Sequence, residues 1–180
     1  MVLYGGEAAP AARSAVDVSK DWLTACARHD GAALRQLSIF PLVVEGFQFN
    51  ERPEKNVCDR VPGMTRDPKT SEIRVSAETE AEFEAMSACV LADNASSEWI
   101  KGSSEGSFVG RARLLKSPAQ AGRRLARYRK KLLPIAKTRA FVEAVTSQDG
   151  ITLTALVVLG RTPSGSLGVE SVHIDFLFQE

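Results

Sequence analysis

The C-terminal part of the chain reads as three consecutive strands, and this feature constrains the fold most. The stretches "TRAFVEAVTS", "ITLTALVVLG" and "GVESVHIDFLF" are rich in β-branched and aromatic residues, and the turn formers "QDG" and "RTPSGSLG" separate them. Short turns between long strands predict consecutive antiparallel hairpins. The middle stretch is apolar on both faces, as expected of a central strand. The sequence therefore predicts a β-meander that ends the chain.

The N-terminal part predicts helices followed by a strand. An apolar stripe that includes Trp22 and Cys26 predicts a first helix over residues 11–28. Asp30 is placed to cap a short second helix. Beyond Pro41, the β-branched and aromatic residues of "PLVVEGFQF" predict a strand.

The middle of the chain alternates between loop and helix signals. Residues 50–75 are dense in proline, charge and turn formers, which predicts a long inserted surface loop. An acidic helix is expected to begin near Ser76. The stretch "SPAQAGRRLARYRKKLL" predicts one further helix, with Ser117 as its cap and Pro118 at its first position.

These elements fit one domain. At 180 residues the chain is long enough for one well-packed core and short for two. We expect residues 1–10 to form a flexible leader and residues 11–180 to form a single domain. Because helices come first and a meander comes last, the predicted fold class is α+β. We expect the apolar face of the sheet to pack on the N-terminal helices.

The net charge of +1 conceals a strongly basic stretch. Residues 106–142 contain eleven Lys or Arg and no Asp or Glu. On a helix, such residues are most often solvated or paired internally, here with the acidic helix around Glu78. The alternative is a surface that docks an acidic partner. Nucleic acid is not expected, because no reading module accompanies the charge. The residues that would carry docking are Arg123, Arg124, Arg127, Tyr128, Lys130 and Lys131.

His173 and Asp175 are the candidate catalytic residues. They lie two apart on the last predicted strand, so their side chains share one face. A carboxylate beside an imidazole makes a general acid or base. The opposite face, which includes Val172 and Ile174, is far more apolar. Packing that face on the helices would leave His173 and Asp175 on the solvated side, which favours a surface role over catalysis.

Two of the three cysteines predict a disulfide. Cys58 lies in the polar loop and Cys89 in the helix that follows it, so a bond between them would fix the insertion. Such a bond implies an oxidising compartment, hence a periplasmic or exported protein, whereas free thiols would indicate the cytoplasm. Cys26 is interpreted as a small buried hydrophobic residue. No cysteine or histidine spacing predicts a metal site, and no motif predicts a cofactor.

The sequence shows neither a membrane span nor a targeting signal that we recognise. No apolar run approaches the ~18–20 residues that span a bilayer. The opening "MVLYGGEAAPAARSA" lacks a basic region followed by an apolar one, so no signal peptide is visible in it.

The order of elements resembles the nuclear transport factor 2-like (SnoaL-like) superfamily. The resemblance rests on the long first helix with Trp22, the turn "RHDGAAL", the short second helix, the stretch "PLVVEGF" and the closing meander. The chain is similar in character to exported bacterial members that carry an additional loop–helix cysteine pair. The resemblance implies a cone-shaped curved antiparallel sheet wrapped on the N-terminal helices, with the last strands lining its cavity.

The sequence and the resemblance together favour a non-enzymatic binding domain. It would hold a small apolar ligand in the cone or use the sheet to form a homodimer. The first alternative is an isomerase- or dehydratase-like enzyme that uses His173 and Asp175 as an acid–base pair. The second is the docking module described above, with Arg123 to Lys131 meeting an acidic partner.

Overall fold

The described residues combine four α-helices with one open, mixed sheet. The computed structural model describes residues 13–48, 57–70, 72–92, 110–148 and 151–178. The α-helices of these ranges are α1 (Ala15–Ala27), α2 (Gly31–Gln36), α3 (Phe83–Ala92) and α4 (Ala126–Leu132). The strands are β1 (Ser38–Gln48), β2 (Thr65–Arg66), β3 (Glu72–Ala77), β4 (Arg111–Leu115), β5 (Ala140–Gln148), β6 (Ile151–Arg161) and β7 (Leu167–Phe178). The α+β prediction is confirmed at this level.

The strands of the described ranges make one sheet in the order β2-β3-β1-β7-β6-β5-β4. Strands β5, β6 and β7 pair as consecutive antiparallel neighbours, which confirms the predicted meander. Strand β1 pairs with β7 in the parallel direction. The expectation of an entirely antiparallel sheet is therefore wrong at this pair. The parallel contact brings the N-terminal and C-terminal strands together at the middle of the sheet.

One face of the sheet, called the inner face here, packs against α1, α2 and α3. Val172 and Ile174 of β7 share a buried cluster with Val18 and Trp22 of α1. The apolar side of the meander therefore contributes to the same buried cluster as the first helix. Ser38 fixes the indole of Trp22, whose Nε1 donates a hydrogen bond to the serine Oγ at 3.0 Å.

Side-chain caps are present at the starts of α1 and α2, and the cap at Asp30 is the one that the sequence predicted. The side chain of Ser14 accepts a hydrogen bond from the amide of Asp17 at the start of α1. Asp30 does the same for the amide of Ala33 at the start of α2, with an oxygen–nitrogen distance of 2.9 Å. Each side-chain oxygen satisfies a backbone donor that a helix start leaves without a partner.

The opposite face, called the outer face here, is covered by residues 117–135, which we name the basic segment. Leu125, Tyr128 and Leu132 of this segment share a second buried cluster with Phe141 of β5 and Leu156 of β6. The sequence interpretation left this face solvated, and that expectation is wrong where the basic segment lies. An amphipathic segment of high charge covers apolar surface here through its leucines and its tyrosine.

Three predicted elements differ from the observed ones. The inserted stretch at residues 50–75 contains a short 3-10 helix at Val57–Arg60, strand β2 and the start of β3. The acidic helix begins at Phe83, because the residues from Ser76 belong to β3 and to the turns that follow it. The basic segment is divided into 3-10 turns followed by α4, and Gly122 separates its first two turns. The predicted leader, residues 1–10, lies outside the described ranges.

Candidate functional site

The candidate site is built on one line of residues that crosses the outer face of the sheet. Glu45 of β1 is the register partner of His173 of β7, and His173 is the partner of Leu156 of β6. The line continues through Glu143 of β5 to Arg113 of β4. Register partners on adjacent strands have neighbouring side chains. The fold therefore places Glu45 beside His173, although 127 other residues separate them in the chain.

His173 is buried and both of its ring nitrogens have partners. Its side chain is 2% exposed. Nδ1 lies 2.7 Å from Oε1 of Glu45, and Nε2 lies 2.9 Å from Oγ of Ser171. The ring of Tyr128 lies against the imidazole, with ring centroids 4.8 Å apart. The expectation that packing leaves His173 on the solvated side is wrong.

Glu45 is a buried carboxylate whose pKa is shifted by its surroundings. Burial raises the pKa of Glu45, but the hydrogen bonds from His173 and Lys131 lower it by more, so that the pKa is about 2 instead of the usual 4.5. Nζ of Lys131 lies 2.8 Å from Oε1 and 3.0 Å from Oε2 of Glu45. Nε of Arg74 lies 3.4 Å from Oε2. Glu45 is therefore ionised at neutral pH.

The ionised Glu45 decides the tautomer of His173. A carboxylate accepts hydrogen bonds and cannot donate them, so Nδ1 of the imidazole must carry the proton in the 2.7 Å contact. In the neutral ring, Nε2 is then an acceptor, and the hydroxyl of Ser171 donates to it. Ser171, His173 and Glu45 thus form a directed chain of two hydrogen bonds.

Tyr128 acts as a neutral donor at the edge of this arrangement. Its hydroxyl donates to the carbonyl oxygen of Ile174 at 3.2 Å. Burial raises the pKa of Tyr128 well above its usual value of 10. The hydroxyl therefore keeps its proton at physiological pH. Gly46 lies at this point with φ of +95°, and the space that a Cβ would need is occupied by Ile174 and by the tyrosine hydroxyl.

Asp175 contacts arginines, and the carboxylate that binds His173 is Glu45. Oδ2 of Asp175 lies 3.4 Å from a terminal nitrogen of Arg124, and Oδ1 lies 3.5 Å from one of Arg127. Asp175 and His173 share the outer face, as the two-residue spacing predicts. The structure does not bring them together as an acid–base pair, because each has a different charged partner.

The basic residues predicted to dock a partner are largely occupied within the chain. Arg124 and Arg127 pair with Asp175, Arg127 also pairs with Glu72, and Lys131 pairs with Glu45. The internal pairing that the sequence indicated is present, but the acids lie on β1, β3 and β7 and not on the acidic helix. Tyr128 is buried. Arg123 and Lys130 are exposed and have no ion pair in the described ranges.

A small open pocket adjoins the Glu45 cluster. Its volume is about 140 Å³. The pocket lies between β1, β2, β3 and α4, and the charged groups of its wall are three carboxylates and two guanidinium groups. The lining residues are Glu45, Gly46, Thr65, Asp67, Glu72, Ile73, Arg74, Arg127 and Tyr128. His173 and Ser171 are not part of this lining.

The cysteines occupy the inner side of the fold. Cys58 and Cys89 lie at disulfide-bonding distance, with their Cα atoms 4.6 Å apart, and link the 3-10 helix of the insertion to α3. Cys26 is a buried free thiol, as expected, and burial raises its pKa. It is therefore a poor nucleophile.

Metal-binding clusters and membrane-spanning helices are both absent from the described ranges. No cluster of three or more His, Cys, Asp or Glu side chains there could hold a metal ion. None of the helices in those ranges combines the length and the apolar character needed to cross a bilayer.

Comparison with known proteins identifies no relative. No protein-family model, no curated protein and no solved structure matches this chain. The resemblance to the nuclear transport factor 2-like superfamily accordingly stays a prediction.

Sequence reasoning missed Glu45, Arg74 and Ser171. A signal existed for Glu45, since it is the single charge in the otherwise apolar "PLVVEGF". A carboxylate in a central strand needs a partner when it is buried. The identity of that partner depends on the parallel pairing of β1 with β7, which hydropathy patterns do not encode.

Proposed function

We propose that this chain is a ligand-binding domain of the nuclear transport factor 2-like kind, and that its ligand is a small zwitterion held in the pocket beside Glu45. The proposal depends on the wall of that pocket. One guanidinium group and one carboxylate there use only some of their polar atoms in contacts within the chain, so the other polar atoms can bind a ligand. The predicted order of helices and the closing meander support the choice of superfamily. We also propose the conical bend of the sheet that the resemblance implies.

Arg74 and Asp67 are the two groups that would meet the ligand. The contact of Arg74 with Glu45 uses only Nε, at 3.4 Å, so its two terminal nitrogens stand outside that ion pair. Asp67 accepts hydrogen bonds from the amides of Lys69 and Thr70, and both use Oδ1. Oδ2 is outside those bonds. A ligand carboxylate would therefore bind Arg74, and a ligand ammonium would bind Asp67.

The charges of the wall favour a zwitterion over a simple anion or cation. The lining contains three carboxylates and two guanidinium groups, and Lys131 pairs with Glu45 from outside the lining, so the formal charges of these groups balance. A ligand that carries only a carboxylate would leave Asp67 without a cation, and a ligand that carries only an ammonium would leave Arg74 without an anion. A molecule with both groups satisfies each side of the pocket.

The size of the pocket limits the ligand. A cavity of ~150 Å³ holds one benzene, so the pocket fits about six non-hydrogen atoms. Pockets for drug-sized molecules are larger, roughly 300–1,000 Å³. An open polar site of this size gives modest affinity, and we expect a Kd between about 10 μM and 10 mM.

Isothermal titration calorimetry tests the proposal with three matched probes: alanine as the zwitterion, propionate as the carboxylate and ethylamine as the ammonium. Only alanine should bind measurably, and Arg74→Gln should weaken its binding at least about tenfold. Arg123→Gln is the matched control, because Arg123 is exposed and does not line the pocket. If alanine fails to bind more tightly than ~10 mM, or binds no better than propionate and ethylamine, the proposal is wrong.

The other functions expected from the sequence are favoured less. An apolar ligand would need a cavity on the inner face, where the described apolar residues pack against α1, α2 and α3. A homodimer through the outer face would need the basic segment to be displaced. Docking of an acidic partner would depend chiefly on Arg123 and Lys130, because ion pairs occupy Arg124, Arg127 and Lys131.

The structure changes which residues the alternative of an enzyme would use. A pair for proton transfer would now consist of His173 and Glu45, with Asp175 excluded by its contacts with Arg124 and Arg127. Because His173 does not line the pocket, it cannot exchange a proton with a ligand bound there. This geometry favours binding over isomerisation in the pocket.

A further inference from the structure

The chain of hydrogen bonds from Ser171 through His173 to Glu45 indicates an activity that is separate from ligand binding in the pocket. Its two heavy-atom distances are 2.9 Å for Oγ to Nε2 and 2.7 Å for Nδ1 to Oε1. A hydroxyl, an imidazole and a carboxylate in this order are the arrangement that activates serine nucleophiles on unrelated folds. We propose that Ser171 is a nucleophile for activated acyl and phosphonyl groups, with His173 as its general base and Glu45 as the positioning residue.

The tautomer required for this role is the one that the surroundings impose. Because Glu45 is ionised and held by Lys131, it accepts the proton of Nδ1 and orients the ring. The remaining nitrogen, Nε2, faces the serine hydroxyl. Tyr128 packs against the ring and limits its rotation. The base is therefore fixed before any substrate arrives, which is the condition for efficient proton transfer.

The base, His173, is more deeply buried than the nucleophile, Ser171. His173 is 2% exposed, so water does not compete for its ring nitrogens. Ser171 is half-buried and reaches the surface. An electrophile can therefore approach Oγ from outside while the imidazole stays sheltered. Since Ser171 does not line the pocket, reaction at Ser171 and zwitterion binding are separate events, and either can fail without the other.

The reaction is balanced within this set of groups. Oγ of Ser171 attacks the carbonyl carbon of an activated ester R–CO–X, and its proton passes to Nε2 of His173. The C–X bond breaks, and X leaves with that proton as HX, which gives a serine ester. Water can then attack the ester in the same way, releasing the acid R–COOH and restoring the hydroxyl.

The position of Ser171 limits the substrate class. β7 pairs on both sides at this residue, with Val43 of β1 and Val158 of β6. Both ladders shift register beside Ser171, at Glu170, but Ser171 itself is paired on both sides, so its own amide is not available as an oxyanion-hole donor. Such donors are worth ~10²–10³ in rate. We therefore assign activated esters and phosphonates as substrates, and not peptides or amides.

The test is covalent labelling of the whole chain with a fluorophosphonate, followed by intact-mass measurement and peptide mapping. Attack by Oγ forms an O–P bond and releases fluoride with the serine proton. One label should be found per chain, on Ser171, and Ser171→Ala should remove it. Ser147→Ala is the control, because Ser147 is exposed and its hydroxyl binds only Thr152 among the described residues.

The effect of removing the base on the labelling rate distinguishes a serine that is activated by His173 from one that is labelled only because it is exposed. General-base assistance is worth ~10²–10⁴ in rate, so His173→Gln should slow the labelling of Ser171 at least about 100-fold. Circular dichroism establishes that this variant is folded. If it is not, the same comparison is made in the Glu45→Asp and Glu45→Gln variants, where Asp should retain more of the labelling rate than Gln. Labelling spread over several serines, labelling of Ser171 that is independent of both residues, or no labelling would each overturn the proposal.

Discussion

Replacing Glu45 by glutamine should reveal how much the buried cluster stabilises the fold. Glutamine has the same shape and can still accept a hydrogen bond from Nδ1 of His173, so the substitution chiefly removes the charge. The pKa of Glu45 falls from 4.5 to about 2 on folding. At about 1.4 kcal/mol per pKa unit, this difference corresponds to ~3 kcal/mol of stability at neutral pH.

The sign of the pH dependence follows from the lowered pKa. A carboxyl whose pKa is lower in the folded state stabilises the fold at pH values above its unfolded pKa. This contribution is therefore fully present above about pH 4.5 and is lost as the pH falls through the folded value of about 2. The wild type and Glu45→Gln should differ by ~3 kcal/mol at about pH 7 and converge as the pH approaches about 2.

Urea unfolding followed by circular dichroism measures this difference at several pH values. Glu80→Gln is the matched control, because Glu80 is exposed and paired with Arg35 at the surface. An exposed pair contributes ~1 kcal/mol or less, so the control should change the free energy of unfolding only slightly at every pH. A Glu45→Gln difference that stays constant between about pH 7 and pH 3, or that is no larger than the control, would refute the reasoning.

Three further outcomes are expected. Mass spectrometry under non-reducing conditions should find Cys58 bonded to Cys89, and reduction should lower the free energy of unfolding by ~3–4 kcal/mol for their separation of 31 residues. Gly46→Ala should destabilise the fold by more than ~2 kcal/mol, because its φ is +95° and the new Cβ would meet a carbonyl of β7. Gly165→Ala should cost less in the same urea assay, since a Cβ there meets nothing within 4 Å. Leu125→Ala should cost ~2–5 kcal/mol, because Leu125 is fully buried under the outer face.

The sequence predicted those parts of the fold that depend on local patterns. The strands β5, β6 and β7 follow from alternation and turn residues, and the cap at Asp30 satisfies a donor only three residues away. The start of α3 was predicted too early, because the apolar and β-branched residues around Val75 pair with β1. The pairing partner lies more than 25 residues away, so local propensity could not reveal it.

The site was harder to predict because it depends on contacts distant in the chain. The two-residue spacing of His173 and Asp175 correctly indicated a shared face. It could not show that the basic segment covers that face, nor that β1 runs beside β7 and brings Glu45 to the imidazole. The apolar residues Leu125, Tyr128 and Leu132 were a signal that the basic segment packs on something. Its high charge concealed that signal.

The protonation state of His173 tests the central arrangement most directly. Nitrogen-15 and proton NMR of the two imidazoles gives the tautomer and the exchange rate of each ring proton, and the exposed His29 is the internal reference. We predict that His173 carries its proton on Nδ1 and that this proton exchanges slowly with water. The exchange should be faster in Glu45→Gln, where the acceptor of the hydrogen bond is uncharged. A ring protonated on Nε2, or a proton that exchanges as fast as that of His29, would contradict the account.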